Sequence, residues 1–322
     1  MSAWPPYEVV EDNLVAHAQS QLNKLYHVGQ EHAWDGREVL ADLIRKHGSP
    51  RFPPEKRAAA MEVLSVLLWG EFAAWVISAD LAQRLEDVDA KMAATSQAHD
   101  EARHFYVLRD YVLAEGGRVP RLKGLSRQLL LRVLRTSSVA EKLVGMQLLV
   151  ESNALAMFRE LAKARVEPVL TELLPYYERD EGRHVGLGVM YLPRALSRMG
   201  VLGKIKLALF QARCVWLLMC AGLPVRRHFE TLGMDLREIA SRTVEIQDDV
   251  LVRMRLAEAS GSAGQLQRKA RFQGVLNPSE GAGPRLLDFM HPPNGIASVP
   301  RWHQLVLRAW TWGARVADRI HA

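Results

Sequence analysis

The pentapeptide Asp100-Glu101-Ala102-Arg103-His104 returns 80 residues later as Asp180-Glu181-Gly182-Arg183-His184, and 30 residues before the glutamate of each copy stands another glutamate in an apolar run, Glu71 and Glu151. The stretches from about Pro54 to Arg84 and from about Val88 to Ala114 lack internal proline and carry apolar residues at helical spacing, with a turn around Glu86-Asp87. Glu71 and Glu101 each lie 15 residues from that turn, so an antiparallel hairpin sets them opposite each other, roughly 22 Å from the turn at 1.5 Å per residue. Glu151 and Glu181 flank Val166 in the same way, and Glu167-Pro168 supplies the break and the fresh helix start. Glu and His stand three apart in each motif and therefore share a helix face. Two such hairpins, packed with these faces inward, bring four carboxylates and two imidazoles to a common centre.

That donor set suits two divalent iron or manganese ions about 3.5 to 4 Å apart, because hard carboxylates bridge and shift while each imidazole holds one terminal position. A lone Glu-x-x-His on a helix carries little weight. Here both occurrences in 322 residues read Asp-Glu-x-Arg-His and both have the partner glutamate at one offset. Leu67-Leu68-Trp69 and Leu148-Leu149-Val150 precede the two partner glutamates, which points to burial, and buried carboxylates without a cation are costly.

Across residues 54 to 193 these features resemble the ferritin-like diiron-carboxylate superfamily. The Asp-Glu-x-Arg-His wording is similar to that of acyl-carrier-protein desaturases, multicomponent monooxygenase hydroxylases, ribonucleotide reductase small subunits and bacterioferritins. The resemblance implies an all-α fold, a ferritin-like four-helix bundle with additional N- and C-terminal helices. It also implies Glu71, Glu101, His104, Glu151, Glu181 and His184 as the metal ligands and catalytic centre. Asp100 and Asp180 would each accept a hydrogen bond from the histidine of the opposite hairpin, with Arg103 and Arg183 anchoring those aspartates. A metal-bound histidine ordinarily donates its free ring N–H to a carboxylate, which fixes its tautomer.

At 48% hydrophobic and 24% charged, the chain has ample core. About 50 residues precede the bundle and about 130 follow it, more like the enlarged folds of the oxygen-activating branches than a storage ferritin. The expected divisions are an N-terminal helical extension (1–53), the bundle (54–193) with 120–135 as a short basic connection, and packing helices (194–258) near 197–222 and 234–256. An irregular loop or lid (259–300) and a C-terminal helix (301–322) complete the chain. Cys214 and Cys220 are too few for a rubredoxin or iron–sulfur centre and read as reduced core thiols of a cytoplasmic protein. No flavin or nicotinamide motif is visible, so electrons are expected from an external donor, a ferredoxin or a reductase. No secretory peptide is read. Val201 to Leu223, interrupted by Lys204, Lys206 and Arg213, is expected to be a buried helix packed on the bundle rather than a transmembrane segment. A net charge of +6 and a pI near 9.4 favour an anionic partner such as acyl carrier protein or a coenzyme A thioester. No nucleic-acid motif is present, and the extra helices are compatible with a homodimer.

Spacing of four from the ligands puts Trp75, Gln147, Leu155 and Tyr177 at the site. Gly188, with Gly186, either opens substrate space beside the metals or permits close helix packing. Tyr106 points away from the metals, and Leu155 offers no proton relay. The expected function is an oxygen-dependent oxidase or monooxygenase with two irons, or a manganese–iron pair, acting on a small or acyl-type organic substrate through a bridging peroxide. The alternatives are a ferroxidase or iron store without organic substrate, and a ribonucleotide-reductase-like radical-generating subunit.

Overall fold

The computed structural model describes residues 21–259, 296–301 and 303–308, and every regular element among them is helical. Helix α1 (Gln21–Glu31) is followed by α2 (Gly36–His47), which Asp35 caps by accepting from the backbone N–H groups of Arg37 and Glu38. Helix α3 (Pro54–Arg84) starts on a proline, whose missing N–H costs nothing there, and α4 (Val88–Ala114) starts under Asp87, which accepts from the Ala90 N–H. The turn thus falls at residues 85–87, with Glu71 and Glu101 equally far from it.

Residues expected as a basic connection instead form α5 (Gly124–Arg135). Leu125, Leu129, Leu130 and Val133 recur at helical spacing and are buried, while Arg127 and Arg135 are exposed. A single turn, α6 (Val139–Lys142), runs into a π-helix over Leu143–Val150 and then into α7 (Glu151–Ala164). The Glu151 N–H bonds to the Met146 carbonyl, five residues back, so the wider winding ends at the partner glutamate itself. Helix α8 (Pro168–Ser197) begins under Glu167, whose side chain accepts from the Leu170 N–H at 2.8 Å. It continues through Pro193, four residues beyond the expected bundle end. Helix α9 (Val201–Leu232) likewise passes through Pro224, and α10 (Leu236–Ala259) follows. A 3-10 turn (Ile296–Ser298) and helical residues 303–308 come last. The expected lid lies largely in 260–295, and with 1–20 and 309–322 it is outside the described residues.

Helix α3 pairs with α4 and α7 with α8; α1 and α2 lie across α4 and α8, α9 packs on α3 and α5, and α10 on α7 and α8. Two apolar cores result. One gathers Ile77, Leu81, Ala90, Leu143 and Leu192, and the other Leu64, Leu68, Leu108, Phe158 and Leu170. Each fully buried leucine, isoleucine or phenylalanine contributes about 1.5–3 kcal/mol, which offsets the cost of the polar layer held between the cores. That layer consists of Glu71, Glu151 and the two pentapeptides.

Candidate dinuclear metal centre

Six side chains from α3, α4, α7 and α8 converge in the polar layer, each at most 3% exposed. Glu71, Glu101, His104 and Glu181 place one donor atom each within 4.8 Å of one another, and so do Glu101, Glu151, Glu181 and His184. Glu101 and Glu181 belong to both groups. The arrangement is therefore two adjoining donor sets sharing two carboxylates, each closed by a further glutamate and a histidine. His104 Nδ1 lies 3.1 Å from Glu71 Oε2 and 3.3 Å from Glu181 Oε1. His184 Nδ1 lies 2.7 Å from Glu101 Oε1 and 3.1 Å from Glu181 Oε2. Glu101 Oε2 and Glu181 Oε1 are buried without a hydrogen-bond partner. Orphaned carboxylate oxygens on the two shared residues, gathered with the inward ring nitrogens of His104 and His184, fit a pair of divalent cations.

The outward ring nitrogens complete a symmetric frame. His104 Nε2–H donates to Asp180 Oδ2 at 3.1 Å, and His184 Nε2–H donates to Asp100 Oδ2 at 3.3 Å, each across to the opposite hairpin. Arg103 donates to Asp100 and Asp180 at 2.5 and 2.9 Å; Arg183 donates to the same two aspartates at 2.9 Å each. Burial would raise the Asp180 carboxyl, but His104 and Trp34 outweigh it and hold that group well below the usual carboxylate range. Replacing Asp180 with asparagine keeps the shape and removes the charge that orients His104. Metal affinity is expected to fall tenfold or more, as chelator competition would measure, with the fold retained.

Burial pushes Glu71 up, and it pushes Glu151 up with help from the facing Glu181 and Glu101 carboxylates. Burial alone would lower the two histidines, but Asp180 and the glutamates around His104, and Glu101 and Glu181 around His184, raise both instead. Free of metal, both imidazoles and the two outer glutamates thus keep their protons to higher pH than such groups ordinarily do. Ligation requires those protons to leave, so affinity should rise with pH and binding should release more than one proton per chain. Titration calorimetry in buffers of differing ionisation enthalpy measures that release; a pH-independent affinity would contradict it.

The remaining expected site residues divide. Tyr177 stacks on the His104 ring with centroids 4.3 Å apart, and its hydroxyl donates to the His104 carbonyl at 2.8 Å, so it positions that histidine. Leu155 is buried. Gln147 is fully buried, and neither of its amide atoms has a partner. Trp75 is 37% exposed and packs on Phe72 and Phe105, because four-residue spacing sets the side of a helix and not whether a neighbouring helix covers it. Gly188 opens no space: a Cβ there would meet Gln147 Cβ at 2.8 Å, so the glycine lets α8 approach the π-helix. Gly186 does the same against Leu25.

Two further residues join the site without having been singled out. Gln97 Nε2 donates to Glu151 at 3.2 Å and reaches Glu101 at 3.4 Å; it stands four residues before Glu101, so the same spacing rule picks it out. Trp34, between α1 and α2, donates from Nε1 to Asp180 Oδ2 at 2.8 Å and lies under the Arg103 guanidinium, 4.8 Å from its ring centroid. No local signal marks Trp34, since its contact crosses 146 residues.

An apolar cavity of about 60 Å³ touches Glu71 and Glu151. It shares Val66, Ser126, Asn153, Met157, Leu218 and Ala221 with a second, of about 140 Å³, that extends between α9 and α10.

No protein-family model matches the sequence, and no curated protein matches it either. Solved structures do match in fold. One is a variant of an R2-like ligand-binding oxidase with an aerobically reconstituted Mn/Fe cofactor, 17% identical, covering 77% of this chain and 95% of that one at a TM-score of 0.50. Another is a variant with an aerobically reconstituted Fe/Fe cofactor, 16% identical, covering 74% and 94% at a TM-score of 0.51. This chain has the all-helical, ferritin-like fold that it shares with those R2-like ligand-binding oxidases.

Proposed function

We propose that the chain is a dinuclear-metal oxidoreductase, an oxygen-dependent oxidase or monooxygenase acting on an apolar, acyl-type organic substrate. The observation that carries this reading is the pair of donor sets sharing Glu101 and Glu181. Glu71, Glu101, His104 and Glu181 would hold one ion, and Glu101, Glu151, Glu181 and His184 the other, as two irons or a manganese–iron pair. Bound there, the metals supply the redox chemistry that molecular oxygen requires.

The protein's own groups set the conditions. His104 and His184 offer Nδ1 inward while Asp180 and Asp100 hold the Nε2 protons. The cavity meets the site at Glu71 and Glu151, and its walls, aliphatic apart from Ser126 and Asn153, suit a hydrocarbon chain and keep water from the reacting end. An iron store needs no such space, which favours the organic-substrate reading over a ferroxidase. The hydrogen-bonded series Trp34, Asp180, His104 leads from the α1–α2 edge to the centre and offers an entry for electrons from a ferredoxin or reductase. Basic surface charge suits that donor or an acyl carrier protein or coenzyme A thioester. Cys214 and Cys220 are free and buried, and burial raises both thiols to about 11, which accords with a cytoplasmic location.

The test is to supply metal, reduce the protein anaerobically, and mix it with oxygen in the presence and absence of acyl substrates of graded length. Oxygen consumption matched by hydroxylated or desaturated product supports the reading. A growing ferric oxide core without product moves it to iron storage, and a persistent tyrosyl or high-valent metal signal without product moves it to a radical-generating subunit.

A further inference from the structure

Charge is unevenly divided along this chain. Residues 116–140 and 182–229 contain no aspartate or glutamate, yet they hold fourteen of its 42 lysines and arginines. The two stretches meet in space, because α9 packs on α5 and Arg132 sits over the Phe210 ring, 5.3 Å from its centroid. Arg118, Arg121, Lys123, Arg127 and Arg135 are exposed, as are Lys206 and Arg213 on α9. Among the described residues no ion pair joins any of these seven to a carboxylate.

Helix α9 carries an apolar ridge beside those cations. Leu207, Phe210, Cys214 and Leu217 face the bundle and are buried, as expected for a packing helix. The opposite side, expected to be covered, is not: Val201, Leu202, Ile205, Leu209 and Trp216 are exposed by 42 to 76%. At 3.6 residues per turn these five fall in one arc over about four turns, roughly 22 Å, edged by Lys206 and Arg213. A surface helix of a soluble protein shows the reverse pattern, with polar residues outward. A row of aliphatic residues with a tryptophan and flanking cations has the composition of a helix lying in a bilayer interface.

We propose that the α5–α9 face docks this protein on an anionic phospholipid bilayer. Helix α9 lies in the membrane plane with its ridge sunk at the boundary between headgroups and acyl chains, and the lysines and arginines of α5 and α9 meet the lipid phosphates. The helix is long and apolar enough to cross a membrane, but its other side is part of the protein core, so it lies flat. A second copy would set two surfaces of like positive charge against each other, at the cost of their repulsion. An acidic protein would answer the cations and leave the leucines and Trp216 without a partner. The inference stands on charge and exposure and does not depend on the metal centre.

The experiment is co-sedimentation of the full chain with vesicles of phosphatidylcholine alone or with about 30 mol% phosphatidylserine, near physiological salt and at high salt. The full chain is expected to pellet with the anionic vesicles at least tenfold more strongly than with the neutral ones, and high salt should weaken it. Leu209→Glu should reduce binding tenfold or more, and the double variant Lys206→Glu, Arg213→Glu should reduce it to the neutral-vesicle level. All three side chains are exposed, so the melting midpoint of each variant serves as the check that it is folded. The proposal is overturned if the full chain stays in the supernatant with both vesicle types, whether the ridge is then held by a second copy, seen as a dimer that Leu209→Glu splits, or by other residues of this chain. Vesicle binding that neither variant changes, or capture by an acidic protein in place of vesicles, overturns it equally.

Discussion

Replacing Glu101 or Glu181 with alanine is expected to remove both metal ions, leaving less than about a tenth of the wild-type metal content. The two residues belong to both donor sets, so one substitution takes a carboxylate from each ion at once. Replacing Glu71 or Glu151 takes a donor from one set only and should leave a partly loaded protein. The fold should survive either change: alanine is the best helix former, and the apolar cores on both sides of the layer are untouched. Elemental analysis of the folded, purified variant measures the effect, and two tightly held ions in Glu101→Ala would contradict the ligand assignment.

Stripping the metals is expected to lower the melting midpoint by on the order of 10 °C, and the gap should widen as pH rises. Ligands that bind only the folded state stabilise it by about 4 kcal/mol at a thousandfold excess over Kd, and a domain of this size shifts by roughly 2–4 °C per kcal/mol. The sign of the pH effect follows from the groups that hold protons in the metal-free layer. Glu71, Glu151, His104 and His184 are all raised above their ordinary values. Their contribution to metal-free stability is therefore present at low pH and lost as pH climbs through the raised values. Metal replaces those protons and removes the loss. Calorimetric melts of stripped and loaded protein across the neutral range would show it, and a gap that narrows with pH would contradict it.

Much of this architecture is written in local spacing. The hairpin of α3 and α4 is legible because Pro54, Asp87 and the absence of internal proline mark its ends, and equal offsets from the turn set Glu71 opposite Glu101. Glu167-Pro168 marks the second hairpin in the same way. Helix α5 was hidden because its arginines dominate the composition of a stretch whose leucines still keep helical period. Helices α8 and α9 run through Pro193 and Pro224, where packing of the helix around the proline outweighs its local cost. At the site, the four-residue rule reaches Tyr177 and would have reached Gln97, yet it misplaces Trp75, since it fixes a side and not a depth. Trp34 and the packing role of Gly188 depend on contacts between distant segments, which no local pattern encodes. The exposed ridge of α9 is invisible for the same reason: apolar residues on every side of a helix read as core until the bundle shows which side it covers.

The central claim is that two metal ions share Glu101 and Glu181. Anomalous diffraction from crystals grown with iron, or with manganese and iron, tests it most directly. The account predicts two peaks per chain about 3.5 to 4 Å apart, one beside His104 and Glu71 and the other beside His184 and Glu151. A single peak, or none in a folded protein supplied with metal, would contradict it.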